Sequence, residues 1–268
     1  MNTSIISVPI HRLTNQNETL SQDLVAVEEP LAIKMESDGV VRDIAITMRT
    51  PGHDAELAAG FLFSEAVLES ASDIAGIETP EPGQVIVRVK PGVTLHIPER
   101  NFYVTSSCGV CGKASVEALR QAGCVSPARG VPKVGFDMLT SLPAKLRLAQ
   151  AVFEHTGGLH AAGLFDLSGN LLCVREDVGR HNAVDKLIGG NFLAGRLPLK
   201  ESILMLSGRL SFELVQKAVR AGIPMVLAVG APSSLAIQTG MQFGLTLVGF
   251  MREGRANVYC GDERIVVG

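Results

Sequence analysis

The sequence predicts an α/β protein: a three-layer mixed sheet in the C-terminal half, preceded by a small α+β unit. From residue 138 onward, short runs rich in branched apolar residues alternate with segments of helical period, the pattern of strands joined by crossover helices. The first two of these runs, 160–166 and 171–175, are separated only by Leu167-Ser-Gly-Asn170. That spacer has room for a hairpin but not for a crossover, so the sheet is mixed. Before residue 138 the apolar residues recur mainly with period two, around one helical stretch.

In chain order, residues 1–23 are polar and irregular and are expected to form a flexible leader. Leu31–Glu36 and Val41–Met48 alternate as paired strands about an Asp38-Gly39 turn. After the Thr50-Pro-Gly-His-Asp54 loop, Leu57, Phe61, Ser64 and Leu68 follow at helical spacing, which predicts a helix over 54–69. Gln84–Val89 and the shorter Asn101–Thr105 are strands, and together these elements make a small α+β domain over 24–106. Residues 107–137 hold a cysteine loop, a short helix at Ala114–Gln121 and a linker rich in Pro and Gly over 124–137. The α/β domain then spans 138–268, with helices over 143–155, 179–193, 211–221 and 233–242. Its strands fall at 160–166, 171–175, 202–206, 224–229 and 244–250, followed by short ones at 257–260 and 264–267. This order resembles that of the cytidine deaminase-like fold. Zinc deaminases, however, carry His-x-Glu and Pro-Cys-x-x-Cys at two of the helix starts. Here those places read Gly179-Arg-His-Asn182 and Ser207-Gly-Arg-Leu-Ser211, so deaminase chemistry is excluded.

Composition narrows the function. A chain of 268 residues with 46% hydrophobic and 19% charged residues builds a core without staples and is not disordered. No apolar run approaches the roughly 18 residues of a membrane span, and Met1–Leu13 lacks the basic flank and cleavage site of a signal peptide. The expected location is the cytoplasm, without a membrane partner. Residues 1–134 carry 11 basic and 16 acidic side chains, net −5, whereas the second half is net +2. Neither half has the dense basic stripe of a nucleic-acid binder. A small anionic ligand on the second half is compatible with these charges.

Two groups of residues point to chemistry. Ser106-Ser-Cys108-Gly-Val-Cys111-Gly-Lys113 sets two thiols just ahead of a helix, beside a lysine and between glycines. A helix N-terminus favours thiolate, and an accessible thiolate is what sulfur transfer or disulfide exchange requires. The same pair could supply half of a zinc site, but only Cys124 lies close enough in sequence to add to it. The second group lies on the strand-to-helix loops, where open α/β sheets bind ligands. Arg180, His181, Ser207, Gly208, Arg209, Ser233 and Ser234 are placed there. Phe250-Met-Arg252-Glu-Gly-Arg255 ends the last crossover strand, and its arginine forks suit phosphate or guanine edges. His155 and His160 are five apart across two glycines and do not share a helix face, so no metal site is assigned to them.

Several segments together carry a resemblance to one family. They are Arg49-Thr-Pro-Gly-His-Asp through Glu65, Ser107-Cys-Gly-Val-Cys-Gly112, and Thr156-Gly-Gly-Leu-His-Ala-Ala-Gly163. To these are added Glu176-Asp-Val-Gly-Arg-His-Asn-Ala-Val-Asp-Lys186, Ser207-Gly-Arg209 and Phe250–Arg255. Over about residues 25–260 the chain resembles the formate dehydrogenase accessory sulfurtransferases (FdhD/NarQ). The resemblance implies a sulfurtransferase that takes sulfur from a cysteine desulfurase and delivers it to the bis-molybdopterin guanine dinucleotide molybdenum cofactor, for activation of formate dehydrogenase. It implies a persulfide on Cys108, with Cys111 as its partner. It further implies a cofactor-binding segment at Phe250, Met251, Arg252, Glu253, Gly254 and Arg255, guanine nucleotides such as GDP as mimics, and a homodimer. A dithiol redox protein and a non-catalytic cofactor-binding chaperone are the competing readings of the same residues.

Overall fold

The computed structural model describes residues 4–95, 102–103, 119, 124 and 126–268. It is a mixed α/β fold with several sheets and, among the described residues, six α-helices. The largest sheet has six strands in the order β10-β9-β11-β12-β13-β14. These are β9 (His160–Asp166), β10 (Leu171–Asp177), β11 (Ser202–Leu206), β12 (Met225–Ala228), β13 (Thr246–Arg252) and β14 (Arg255–Cys260). β11, β12 and β13 are parallel, while β9, β10 and β14 run against their neighbours. The expected hairpin of β9 and β10 and the parallel strands after it are all present.

The central strands β11 and β12 are buried at every position because both faces are covered. Ile203 and Met205 of β11, with Met225 and Leu227 of β12, pack under α2 (Phe136–Leu148). The alternate residues Leu204, Leu206, Val226 and Ala228 enter the opposite core. That core also contains residues of α4 (Arg180–Leu193), α5 (Phe212–Arg220) and α6 (Ser234–Gln242). The same cluster continues into the N-terminal part. There a five-stranded sheet has the order β5-β6-β3-β4-β7, from β3 (Glu29–Ser37), β4 (Val40–Arg49), β5 (Ile74–Glu78), β6 (Gln84–Val89) and β7 (Phe102–Tyr103). Leu31, Ile33, Val85 and Val87 of this sheet and Leu57 and Leu62 of α1 (Asp54–Ser64) share the cluster with Val184 and Ile188 of α4.

α1 and α4 cross with almost no side chain between them. A Cβ at Gly60 would lie 1.9 Å from the Asp185 carbonyl oxygen, and one at Gly189 would lie 1.8 Å from that of Glu56. Glycine inside a helix costs roughly 1 kcal/mol relative to alanine. Its presence here is explained by the backbone contact. The crossing is flanked by buried ion pairs: Lys217 Nζ meets both carboxylate oxygens of Asp185 at 2.8 Å, and Ser64 Oγ donates to Asp185 at 2.9 Å.

Three expectations are corrected. Of the leader expected over 1–23, the described residues 4–23 are not irregular: β1 (Ile5–Leu13) and β2 (Glu18–Ala26) pair residue by residue, from Ile5 opposite Ala26 to Leu13 opposite Glu18. Thr14 closes the turn, its backbone N–H donating to Asn17 at 2.9 Å. Both faces of this hairpin are largely exposed, so it lacks the one-sided apolar alternation that marks a half-buried strand. The helix expected over 54–69 ends at Ser64, where the chain turns at Ala66 with φ 60°. Val67 and Leu68 stay buried after the helix has stopped, which extends the apolar period past its end. Finally, the helix expected over 143–155 is two helices, α2 and α3 (Ala151–Thr156), with Pro143 inside α2 rather than at its start. The expected linker thus contributes Phe136 and Asp137 to α2, and β8 (Val134–Gly135) pairs with β15 (Ile265–Val266). The linker also holds Arg264, which is fully buried and donates to the carbonyls of Ala128 and Val131 at 2.8 Å.

Candidate functional site

The parallel strands place the C-terminal ends of β11, β12 and β13 on one edge of the sheet. β9 begins and β10 ends at the same edge, with His160 opposite Asp177. The loops leaving this edge are stitched together. Gly230 donates to Gly208 at 3.0 Å, Leu210 to Ala231 at 3.0 Å, and Phe250 to Gly230 at 3.1 Å. Only glycine fits at 230, where a Cβ would lie 2.9 Å from the Gly208 carbonyl oxygen. The rim residues expected from the sequence are therefore held on adjoining loops of one surface.

Each occupies a definite place. Ser207 is half-buried and its Oγ accepts the Ala161 N–H at 2.8 Å. Gly208 lies against His160, whose Nδ1 would be 3.1 Å from an added Cβ. Arg209 is exposed. Phe250 is 43% exposed and takes φ 52°, in a break of the β13–β14 register. Arg252 and Arg255 stand opposite each other across that hairpin, with Glu253 and Gly254 at its tip. Arg252 also donates to the Val229 carbonyl at 3.0 Å. Two like charges at facing positions repel, and an anion between them relieves the repulsion. Met251 departs from the expected ligand-binding set: it is fully buried in the core beneath α2, because strand alternation turns it away from Phe250 and Arg252. Cys108, Cys111 and most of the helix expected at Ala114–Gln121 lie outside the described residues. Leu119 is described, helical and buried.

The first sequence motif turns out to support the rim. Asp177 and Lys186 form a fully buried pair at 2.7 Å. Lys186 donates to the Thr50 carbonyl at 2.8 Å, and the Thr50 N–H donates to Asp177 at 3.2 Å. Asn182 adds a bond to the Met48 carbonyl at 2.7 Å. The end of β4 is thereby clamped to the loop that opens α4 and presents Arg180 and His181. Arg49 secures its own loop through two 2.9 Å bonds to Asp54. The clamp is not apparent from sequence, since Met48 and Thr50 lie more than a hundred residues from Asp177, Asn182 and Lys186.

The electrostatics favour neutral histidines on a cationic rim. Burial, then Arg180 and Arg209, lowers the His160 pKa. Burial, then Lys217 and Arg180, brings His181 down to about 4. An unfolded histidine takes up its proton near pH 6.5, whereas folded His181 resists until about pH 4. Stability is therefore expected to fall as pH drops through this window, by up to roughly 3 kcal/mol at the acid end. His181→Gln should flatten that part of the curve in urea unfolding at pH 7 and pH 4.5; an unchanged slope would contradict the assignment. Among the described residues no group of three or more His, Cys, Asp or Glu is placed to hold a metal ion, and no helix is long and apolar enough to cross a membrane.

Fold and rim define a mixed-sheet protein with an anion-seeking edge built from stitched loops. Residues 26–266 match the FdhD/NarQ family, and the chain belongs to that family. It is 50% identical over 261 residues to a sulfur carrier protein FdhD of Streptomyces avermitilis, covering 91% of this chain and 90% of that one. A sulfur carrier protein FdhD of Mycolicibacterium paratuberculosis is 46% identical over 267 residues, with 96% and 97% covered. Among solved structures, a protein from Desulfotalea psychrophila designated a formate dehydrogenase accessory protein superposes with a TM-score of 0.78 at 29% identity, covering 98% and 99% of the two chains.

Proposed function

We propose that this protein is a sulfurtransferase that carries sulfur as a persulfide on Cys108, from a cysteine desulfurase to the bis-molybdopterin guanine dinucleotide molybdenum cofactor, for use by formate dehydrogenase. The observation that carries the reading is identity of about half the residues, over nearly the whole chain, to sulfur carrier proteins. In the loading step the Cys108 thiolate attacks the terminal sulfur of the desulfurase persulfide. The donor S–S bond breaks, the donor cysteine leaves as thiolate, and no net oxidation occurs. In release, attack of Cys111 on Cys108 would expel the sulfur and leave a disulfide, which a dithiol reductant must then reopen.

The sheet edge supports the cofactor half of the proposal. Arg209, Arg252 and Arg255 are exposed there with few fixed partners, ready for the phosphates of a dinucleotide. β7 runs parallel to β4, with Tyr103 opposite Ile46. The strand order also supports a cytidine deaminase-like layering, and a cytoplasmic homodimer belongs to the same reading.

The test of the carrier is restoration of formate dehydrogenase activity in cells lacking this protein. The wild-type chain restores it and Cys108→Ala does not; restoration by the variant would favour the chaperone reading. The test of the cofactor site is GDP binding by calorimetry. Arg255→Ala is expected to weaken it roughly tenfold, and unchanged binding would remove Arg255 from the site.

A further inference from the structure

Two histidines sit on the rim, and they are held differently. His181 Nε2 lies 3.2 Å from Ser211 Oγ and 3.7 Å from a Glu213 carboxylate oxygen, so its ring is tied to the start of α5. His160 is half-buried, and neither of its ring nitrogens has a hydrogen-bond partner among the described residues. It stands at the first residue of β9 with its ring against Gly208, where an added Cβ would lie 3.1 Å from Nδ1. It also lines an open cavity of about 550 Å³, together with Ser207, Leu159 and Val229. A neutral imidazole carries one donor and one acceptor nitrogen, and both are unused here.

The charged groups around His160 come from several elements. Burial, then Arg180 at the start of α4 and Arg209 in the β11–α5 loop, disfavour its protonated form. Asp177 at the end of β10 favours that form, but is already paired with Lys186. Arg147 of α2 lines the same cavity, with its guanidinium 4.3 Å over the Phe153 ring. Arg180 Nε is buried without a hydrogen-bond partner among the described residues, a cost that a bound anion can remove. An anion seated by Arg180 and Arg209 also cancels the charge that keeps His160 neutral, so the imidazole becomes a stronger base once substrate is bound.

Sulfur delivery has a use for such a base. Sulfur expelled from Cys108 leaves as hydrosulfide, HS⁻, and it must lose its proton to become a sulfide ligand of the substrate metal. The acceptor nitrogen of His160 takes that proton. The S–H bond breaks, its electron pair stays on sulfur and is shared with the metal, and an N–H bond forms. The imidazolium then returns the proton to water, and nothing is oxidised or reduced in the step.

We propose that His160 is the catalytic base of sulfur delivery, accepting the proton of the transferred hydrosulfide while Arg180 and Arg209 hold the anionic substrate beside it. The inference rests on the carrier reading above and gives the rim a chemical role in addition to binding.

The test is NMR titration of the full-length protein with ¹³C-labelled histidine rings, without ligand and with saturating GDP. The chain has six histidines, and His160→Gln identifies the signal by its loss. His160 should titrate below pH 6.5 without GDP and at a higher pH with it. A signal that titrates at the same pH in both overturns the proposal, whether or not the variant folds. In cells lacking this protein, His160→Gln should restore formate dehydrogenase activity about a hundredfold less well than wild type. It should still gain one sulfur from the desulfurase and bind GDP at pH 8 with wild-type affinity. A merely structural histidine would instead lose sulfur uptake, GDP affinity and melting temperature together with activity. Full restoration by His160→Gln overturns the proposal and leaves the carrier reading standing. Failure of wild type to take up sulfur overturns the carrier reading itself.

Discussion

Replacing Gly189 with alanine is expected to destabilise the protein by about 3 kcal/mol or more, a fall in melting temperature of roughly 6–12 °C for a chain of this size. The direction is the informative part. At an ordinary helix position the change would stabilise by roughly 1 kcal/mol, because alanine is the better helix former. Here the added methyl group would stand 1.8 Å from the Glu56 carbonyl oxygen and 2.6 Å from the Gly60 backbone nitrogen. Both neighbours are backbone, so neither can swing aside, and α1 must move away from α4. That movement opens the core shared by Leu57, Leu62, Val184 and Ile188. It also disturbs the Asp185–Lys217 pair beside the crossing, whose charges are buried and depend on each other. Gly76→Ala in β5 is the control, since nothing lies within 4 Å of its added Cβ. Thermal melting that showed Gly189→Ala as stable as Gly76→Ala would refute the backbone-contact account of the crossing.

Much of the C-terminal sheet was legible because its cause is local. Runs such as Ile203-Leu-Met-Leu206 are buried on both faces, and only a strand between two layers needs four consecutive apolar residues bounded by loops. The helices after β10, β11 and β12 each follow a polar strand-to-helix loop and were placed to within about a residue at each end. What was not legible depends on distant partners or on broken rules. Pro143 suggests a helix start, yet lies in the interior of α2; one turn earlier Thr140 and Ser141 donate back to the carbonyls of Asp137 and Met138. The N-terminal hairpin shows no single apolar face to read.

The site divides in the same way. The rim loops followed from the topology, since loops after parallel strands gather on one edge. Met251 was placed in the ligand-binding segment by resemblance, although alternation along β13 already turns it inward. The Asp177–Lys186 clamp on Thr50 explains why two separate motifs occur in one chain, but only the folded structure brings them together.

The second large effect concerns Cys108. The account requires one thiol that is accessible and ionised, and the three described cysteines are poorly suited. Burial is the leading cause that raises the thiol pKa of Cys124, of Cys173 and of Cys260, so each stays protonated at neutral pH. Cys260 is further engaged with the Leu245 carbonyl at 3.3 Å. A half-buried thiol held in its protonated form is a poor attacker of a persulfide. With these three poorly suited and Cys111 assigned to release rather than uptake, sulfur uptake is expected to vanish entirely in Cys108→Ala rather than decline in part. The most direct measurement is intact-protein mass spectrometry after incubation with an active cysteine desulfurase and cysteine, on wild type, Cys108→Ala and Cys111→Ala. The account predicts a mass gain of one sulfur in wild type that is lost in Cys108→Ala. The same gain persisting in Cys108→Ala, or no gain in wild type, would contradict it.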